Sequence, residues 1–369
     1  MKKRLSIVLC MTLMATSLLA GCKKKEEAPE PTETVSEAEE TETETGKDGM
    51  ARSYLTGEWI DADLAKKKPG AIMIGNTNDA LPQYGLSQAD VLYEAPAEGG
   101  ITRLMPIFQD YSGLDKIGSV RSCRHYYAYY AMEFDAIYIH YGQAIYATEL
   151  LESGKVEDLN GLEGAIDSAT FYRDKSRKAP HNAFVSTDGI DAGIELKGYD
   201  TELPSDYTGH YQFNEDDEKE IELTDGADAA VVQPGYYINN PWFVYNSEDG
   251  LYYRFQYKKE HMDENTGTQL AFKNILLQYC DYTKLDDAHG YLDVESTGEG
   301  TGKYITNGKV IDVTWKKASE NEPTRYYDAS GNEITLNQGK TMVCVLLNDM
   351  EKKLNIYATE DEFTPPSAK

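Results

Sequence analysis

Long apolar runs are scarce in this 369-residue chain. Only residues 5–19 form one, and it falls short of the roughly 20 residues that span a bilayer. Cysteine is sparse as well: Cys10 and Cys22 lie at the start, while Cys123, Cys280 and Cys344 are far apart with no Cys-x-x-Cys pair. That spacing signals neither a disulfide framework nor a zinc site. At most one disulfide can form among the last three, and buried free thiols are their expected state. Basic residues are outnumbered, 36 Lys and Arg against 63 Asp and Glu, for a formal charge of −27. Such a surface excludes general nucleic-acid affinity, which needs cations to neutralise phosphates. A nucleophile elbow, a His-Glu-x-x-His pair and a glycine-rich phosphate loop are all missing, so no cofactor and no metal is implied.

What is present begins with an address. Residues 1–22 have a basic start, a short apolar run and then Leu19-Ala20-Gly21-Cys22. This is the pattern of a secretory signal ending in a bacterial lipobox, in which Cys22 is diacylated and becomes the first residue. At roughly 0.8 kcal/mol per buried methylene, two or three acyl chains anchor durably. Lys23, Lys24 and Lys25 follow, placed to meet anionic headgroups. The rest of 23–53 is mostly Glu, Thr, Pro, Ser, Ala and Gly, too polar to bury a core, and is expected to be a disordered acidic tether. The expected location is the outer face of the bacterial cytoplasmic membrane, facing the cell wall.

The folded body reads as α+β. Residues 54–202 alternate short apolar runs with helical segments and make an N-terminal α/β domain; 203–227 is an acidic connector. Residues 228–358 carry nine Tyr- and Val-rich runs, with Asp249-Gly250, Asn307-Gly308 and Ser330-Gly331 as turns, the pattern of a mostly antiparallel β domain; 359–369 is a tail. In the N-terminal part, a strand at Val91 to Ala95 contains Glu94, costly to bury unless paired, and Arg103 is the nearest partner in sequence. A helix is expected from Ser119 to Glu133, with Ser119 as its cap and Arg121 and Arg124 on its first turn, followed by a strand ending on His140, Tyr141 and Gly142. Residues 171–178 hold Arg173, Lys175, Arg177 and Lys178 against Asp174 and lead into Pro180-His181-Asn182.

Many short blocks then fall in a specific order: Asn76, Leu81-Pro82-Gln83, Gly85-Leu86, Ala89-Asp90-Val91, Tyr93-Glu94, Glu98-Gly99-Gly100-Ile101-Thr102-Arg103, Val120-Arg121-Ser122, Arg124, His140-Tyr141-Gly142, Tyr172-Arg173-Asp174 and Ala179-Pro180-His181-Asn182. With Gly331-Asn332-Glu333-Ile334 and Leu336-Asn337-Gln338-Gly339-Lys340-Thr341, they make the chain resemble the YerB-like lipoprotein family over about residues 58–350. The resemblance implies a mixed α/β N-terminal part, a mostly β C-terminal part and no assigned activity. It leads one to expect alanine where Cys123 stands.

Cations at a helix start are disfavoured by the helix dipole by roughly 0.3–1 kcal/mol unless an anion compensates. Three readings follow. In the first, Arg103, Arg121, Arg124, Arg173 and Tyr141 line a pocket for an anionic envelope ligand: a wall polymer, a peptidoglycan fragment or a phosphorylated headgroup. In the second, the protein is a hydrolase or transferase acting on such a ligand, with Glu94, Glu98, His140 and His181 in acid–base roles. In the third it is an envelope scaffold whose charges pair internally. Solvent-facing Arg121 and Arg124 favour the first two; a dry cluster neutralised by Glu94, Glu98 or Asp90 favours the third. On the ligand reading, removing Arg121 and Arg124 together is expected to abolish anion binding and leave the melting temperature nearly unchanged. The sequence leaves the oligomeric state open.

Overall fold

Val91–Pro96 and Thr341–Leu347, two segments wholly buried along their length, lie side by side in parallel at the centre of a twelve-stranded sheet. In the computed structural model, residues 47–366 are described; the lipobox, its Cys22 and the expected tether up to residue 46 lie outside them, while the end of that expected tether is ordered, Met50–Arg52 pairing as a strand with Trp59–Asp61. The principal strands of the sheet are β1 (Gly70–Ile72), β2 (Val91–Pro96), β3 (Thr102–Phe108), β4 (Ile137–His140), β5 (Asp158–Asn160), β6 (Asn274–Cys280), β7 (Gly298–Thr306), β8 (Lys309–Lys317) and β9 (Thr341–Leu347). Their order is β8, β7, β6, β9, β2, β3, β1, β4, β5. β6, β9 and β2 are mutually parallel, β3 is antiparallel to both β2 and β1, and β1, β4 and β5 run parallel. Seven of the nine therefore point one way, β8 included because β7 is antiparallel to both β6 and β8, and their carboxyl ends share one edge.

Burial explains the sequence texture. β2, β3, β6 and β9 are covered on both faces and read as nearly unbroken apolar runs. β8 alternates buried and exposed residues, as a strand with one wet face does, and turns Trp315 inward. The expected α+β class is what the structure has: a mixed sheet built by the N-terminal part and mostly antiparallel pairing in the C-terminal part. Every one of the nine runs expected to be strands after residue 228 forms one. A second sheet takes Leu251–Gln256, Trp242–Asn246, Val231–Gln233 and Asn355–Tyr357 side by side.

Helix α1 (His125–Met132) covers one face of the central sheet, with Tyr130 stacked on Tyr93 of β2 at 4.9 Å. The tyrosines around this helix are mostly core. Tyr126 donates to the Pro96 carbonyl at 2.6 Å, and the Tyr127 hydroxyl accepts from the Ala95 amide at 2.8 Å and donates to the Arg103 carbonyl at 2.6 Å. Helix α2 (Thr187–Lys197) is capped by Ser186, whose hydroxyl accepts from Gly189 N–H, and ends on Gly198 in the left-handed region at φ 68°. Among the described residues, no helix is long and apolar enough to cross a membrane.

Candidate functional site

The carboxyl edge of β2 and the start of β3 bring the predicted cations together. Arg103 is the second residue of β3, and its buried guanidinium donates to the Ser122 carbonyl at 2.8 Å. Arg121 and Arg124 do not ride on a first helical turn, which corrects the expected boundary: α1 begins at His125, and Arg124 is its N-cap residue in extended conformation. Residues 121–123 run instead as an extended segment beside 141–143. The Tyr141 N–H donates to the Arg121 carbonyl and the Cys123 N–H to the Gly142 carbonyl. Backbone pairing of that kind competes with helix, so Ser119 is not the cap either, and its buried hydroxyl has no partner.

Arg124 is buried and paired with Glu98, and it also donates to the Cys123 carbonyl at 2.9 Å. Arg121 is half-buried, its stem packed over Gly75, where a Cβ would stand 3.0 Å from Cγ, and its head donating to the Pro180 carbonyl at 2.8 Å. Burial, together with Arg124 and Arg121, pushes the Arg103 pKa down to about 10. Burial and Arg124 lower that of Arg121 as well, and Glu98 is the carboxylate that acts against both shifts. Three guanidiniums thus face one carboxylate. The Nε of Arg103 is buried without a hydrogen-bond partner, an unmade bond that costs about 1–3 kcal/mol or more for a charged group.

The 171–182 loop folds back to this cluster as far as His181. Burial, then repulsion from Arg121, lowers the pKa of His181 below 6.5; Asp79 pulls the other way, and Arg177 adds a smaller repulsion. The His181 Nδ1 is also buried without a partner. Arg173 is exposed and lies 4.1 Å over the Tyr141 ring, so those two predicted residues meet each other at the rim. Arg177 instead caps a turn, donating to the Ala80 and Pro82 carbonyls, both at 2.8 Å.

Two of the proposed acid–base residues belong elsewhere. Glu94 is not paired with Arg103. Register sets Arg103 opposite Ala95 and Glu94 opposite Leu104, and because strand side chains alternate, the two point to opposite faces of the sheet. Glu94 meets Arg254 at 2.7 Å and accepts from Asn76, Thr102 and Asn239 at 3.1, 2.7 and 2.6 Å. Behind Arg254, His261 is held between that guanidinium and Gln83, whose amide oxygen lies 2.5 Å from Nε2. Burial, then Arg254, drives the His261 pKa well below 6.5. His140 is fully buried, between the Gly142 carbonyl at 2.9 Å and Asp158 at 3.0 Å. Glu94 and His140 are therefore structural, and Glu98 and His181 are the acid–base candidates left at the cluster.

Sequence reasoning missed Arg254 and His261 because nothing local marks a partner 160 residues from Glu94. Trp315 is buried, donating to the Tyr279 carbonyl at 2.8 Å, and Trp242 is stacked on Phe255 at 5.0 Å. A cleft of about 790 Å³ beside Trp242, Phe255 and Phe363 contains none of the arginines. Cys123, Cys280 and Cys344 are buried free thiols, and burial pushes Cys123 and Cys280 up to about 12.

Residues 55–200 match a family model described as the N-terminal domain of a protein of unknown function, DUF3048. Its C-terminal counterpart matches residues 232–343. A Bacillus subtilis (strain 168) protein described as "Putative lipoprotein YerB" is 30% identical over 324 residues, 86% of this chain and 88% of the relative. A crystal structure of YerB protein from Bacillus subtilis superposes with a TM-score of 0.73 at 29% identity, covering 83% of this chain and 99% of that one.

Proposed function

From the premise that this chain belongs to the DUF3048 family, we propose that it is a lipid-anchored extracytoplasmic protein that binds an anionic cell-envelope ligand through Arg103, Arg121 and Arg124. The anchor rests on Leu19-Ala20-Gly21-Cys22 and on the description of the Bacillus subtilis relative as a lipoprotein. The ligand class is a wall polymer, a peptidoglycan fragment or a phosphorylated headgroup, which share phosphate or carboxylate oxygens.

One observation carries the binding reading: three clustered guanidiniums act on a single carboxylate, Glu98, with the Arg103 Nε left without a partner. Guanidinium forks match phosphate and carboxylate oxygens two at a time, and a second anion would relieve the repulsion that lowers Arg103 and Arg121. Tyr141 and Arg173 extend the same corner outward.

The test is calorimetric titration of the full chain with inorganic phosphate, and of the Arg121→Ala variant. Charged hydrogen bonds contribute about 1.5–3 kcal/mol, so the variant should bind about tenfold more weakly or worse. Its melting temperature should hardly move, because Arg121 is half-buried and bonds only to a carbonyl. Equal affinity in the two proteins would remove the arginines from the site.

A further inference from the structure

Strands β6, β9 and β2 point the same way, and a cleft of about 520 Å³ lies beyond their carboxyl ends. Its walls are the segments that leave those strands: Ala97, Gly99 and Gly100 after β2; Tyr282, Lys284 and His289 after β6; Asp349 and Met350 after β9. The volume falls in the roughly 300–1,000 Å³ range of small-ligand sites, and the crevice outside the carboxyl ends of parallel strands is where open sheets place their ligands. The cleft shares a wall with the arginine cluster. Glu98, the partner of Arg124, sits between the lining residues Ala97 and Gly99. The Arg124 guanidinium lies 5.3 Å from the ring of Tyr291, which sits between the lining residues Gly290 and Leu292.

The lining is aromatic and polar at once. Tyr236 forms a buried part of it, while Tyr237 is 55% exposed and Ile238 beside it 50%. Lys353 covers one face of the Tyr237 ring at 2.9 Å from its centre, which leaves the other face to be presented. The Tyr282 hydroxyl donates to Asp349 at 3.1 Å, and Lys284 pairs with Asp287 at 3.1 Å. A purely apolar ligand would desolvate those charges without replacing their hydrogen bonds. A phosphate alone would have no use for the rings. Saccharide rings satisfy both demands, with C–H faces to lie on tyrosine and hydroxyls to exchange bonds with Asp349, Lys284 and His289.

We infer that this cleft binds neutral saccharide rings of a glycan whose anionic group docks on the neighbouring arginines. The position of the charged group rests on the proposed function; the saccharide subsite rests on the cleft itself.

Saturation-transfer NMR and calorimetry on the full chain, using neutral chitotetraose and separately inorganic phosphate, keep the two apart. Chitotetraose should bind, and Tyr237→Ala, a change at an exposed position, should weaken it about tenfold while leaving phosphate affinity unchanged. Arg121→Ala should do the reverse. Should phosphate bind and chitotetraose not, the saccharide subsite is overturned and the anion site stands; chitotetraose binding that Tyr237→Ala does not alter also overturns it. If chitotetraose behaves as expected and phosphate fails to bind, the anion site falls alone.

Discussion

At position 94 a carboxylate lies fully buried inside a strand, with an equally buried Arg254 against it. Removing one member of such a pair leaves an uncompensated charge, so Glu94→Gln should destabilise the fold by about 3–5 kcal/mol in chemical denaturation. Arg124→Ala should also destabilise, because it strands Glu98 beside a buried position, whereas Arg121→Ala should stay within about 1 kcal/mol of the parent. A single stability measurement on each variant thus separates the two arginines that the sequence treats as equivalent. Glu94 announces in the sequence that it needs a partner, since a charge in an apolar run must be met. The identity of the partner is hidden: strand alternation turns Arg103 to the wrong face, and Arg254 arrives from a distant strand.

Among the elements, α1 gains a second anchor at its carboxyl end. Glu133, its C-cap residue, meets His210 at 2.5 Å and Lys317 of β8 at 3.0 Å, all three side chains fully buried. Burial pushes the Glu133 carboxyl up, but Lys317 and His210 outweigh it and hold its pKa below 4.5. Burial lowers His210 below 6.5 despite Glu133, and His261 well below it. The unfolded chain takes up protons on these histidines as pH falls through about 6.5 while the folded chain does not, so their contribution is complete above that pH and declines beneath it. Glu133 acts in the same direction lower down, its contribution present above pH 4.5 and lost as pH falls through its folded value. Asp90, which burial pushes up to about 6, acts the other way, so the histidine contribution is read by difference: between pH 8 and 4, urea midpoints of His261→Gln should lose less below about pH 6.5 than those of the parent. Midpoints of parent and variant that change in parallel would contradict the depressed imidazole. The strands after residue 228 were legible from their alternation and turns. The start of α1 was not, because residues 121–123 are held by pairing with 141–143, a contact that helix propensity cannot register.

For the whole molecule, one sheet passes through both matched segments, since β9 lies between β6 and β2. Strand content can be read locally, but a strand near residue 345 joining one near residue 93 depends on long-range register, and with it the shared carboxyl edge where arginines and cleft meet. The proposed address makes its own prediction: Cys22→Ala should move the protein from the membrane to the soluble extracytoplasmic fraction on cell fractionation, with folding unchanged. The claim that matters most is that the arginine cluster is completed by an outside anion, and His181 reports on it directly. The chain has 6 histidines, so the His181 imidazole can be followed in a histidine-labelled sample. Without added anion its pKa should lie below 6.5, held there by burial and by Arg121. Millimolar inorganic phosphate should raise it, because a bound anion offsets the guanidinium repulsion; a His181 titration that phosphate leaves unmoved would contradict the account.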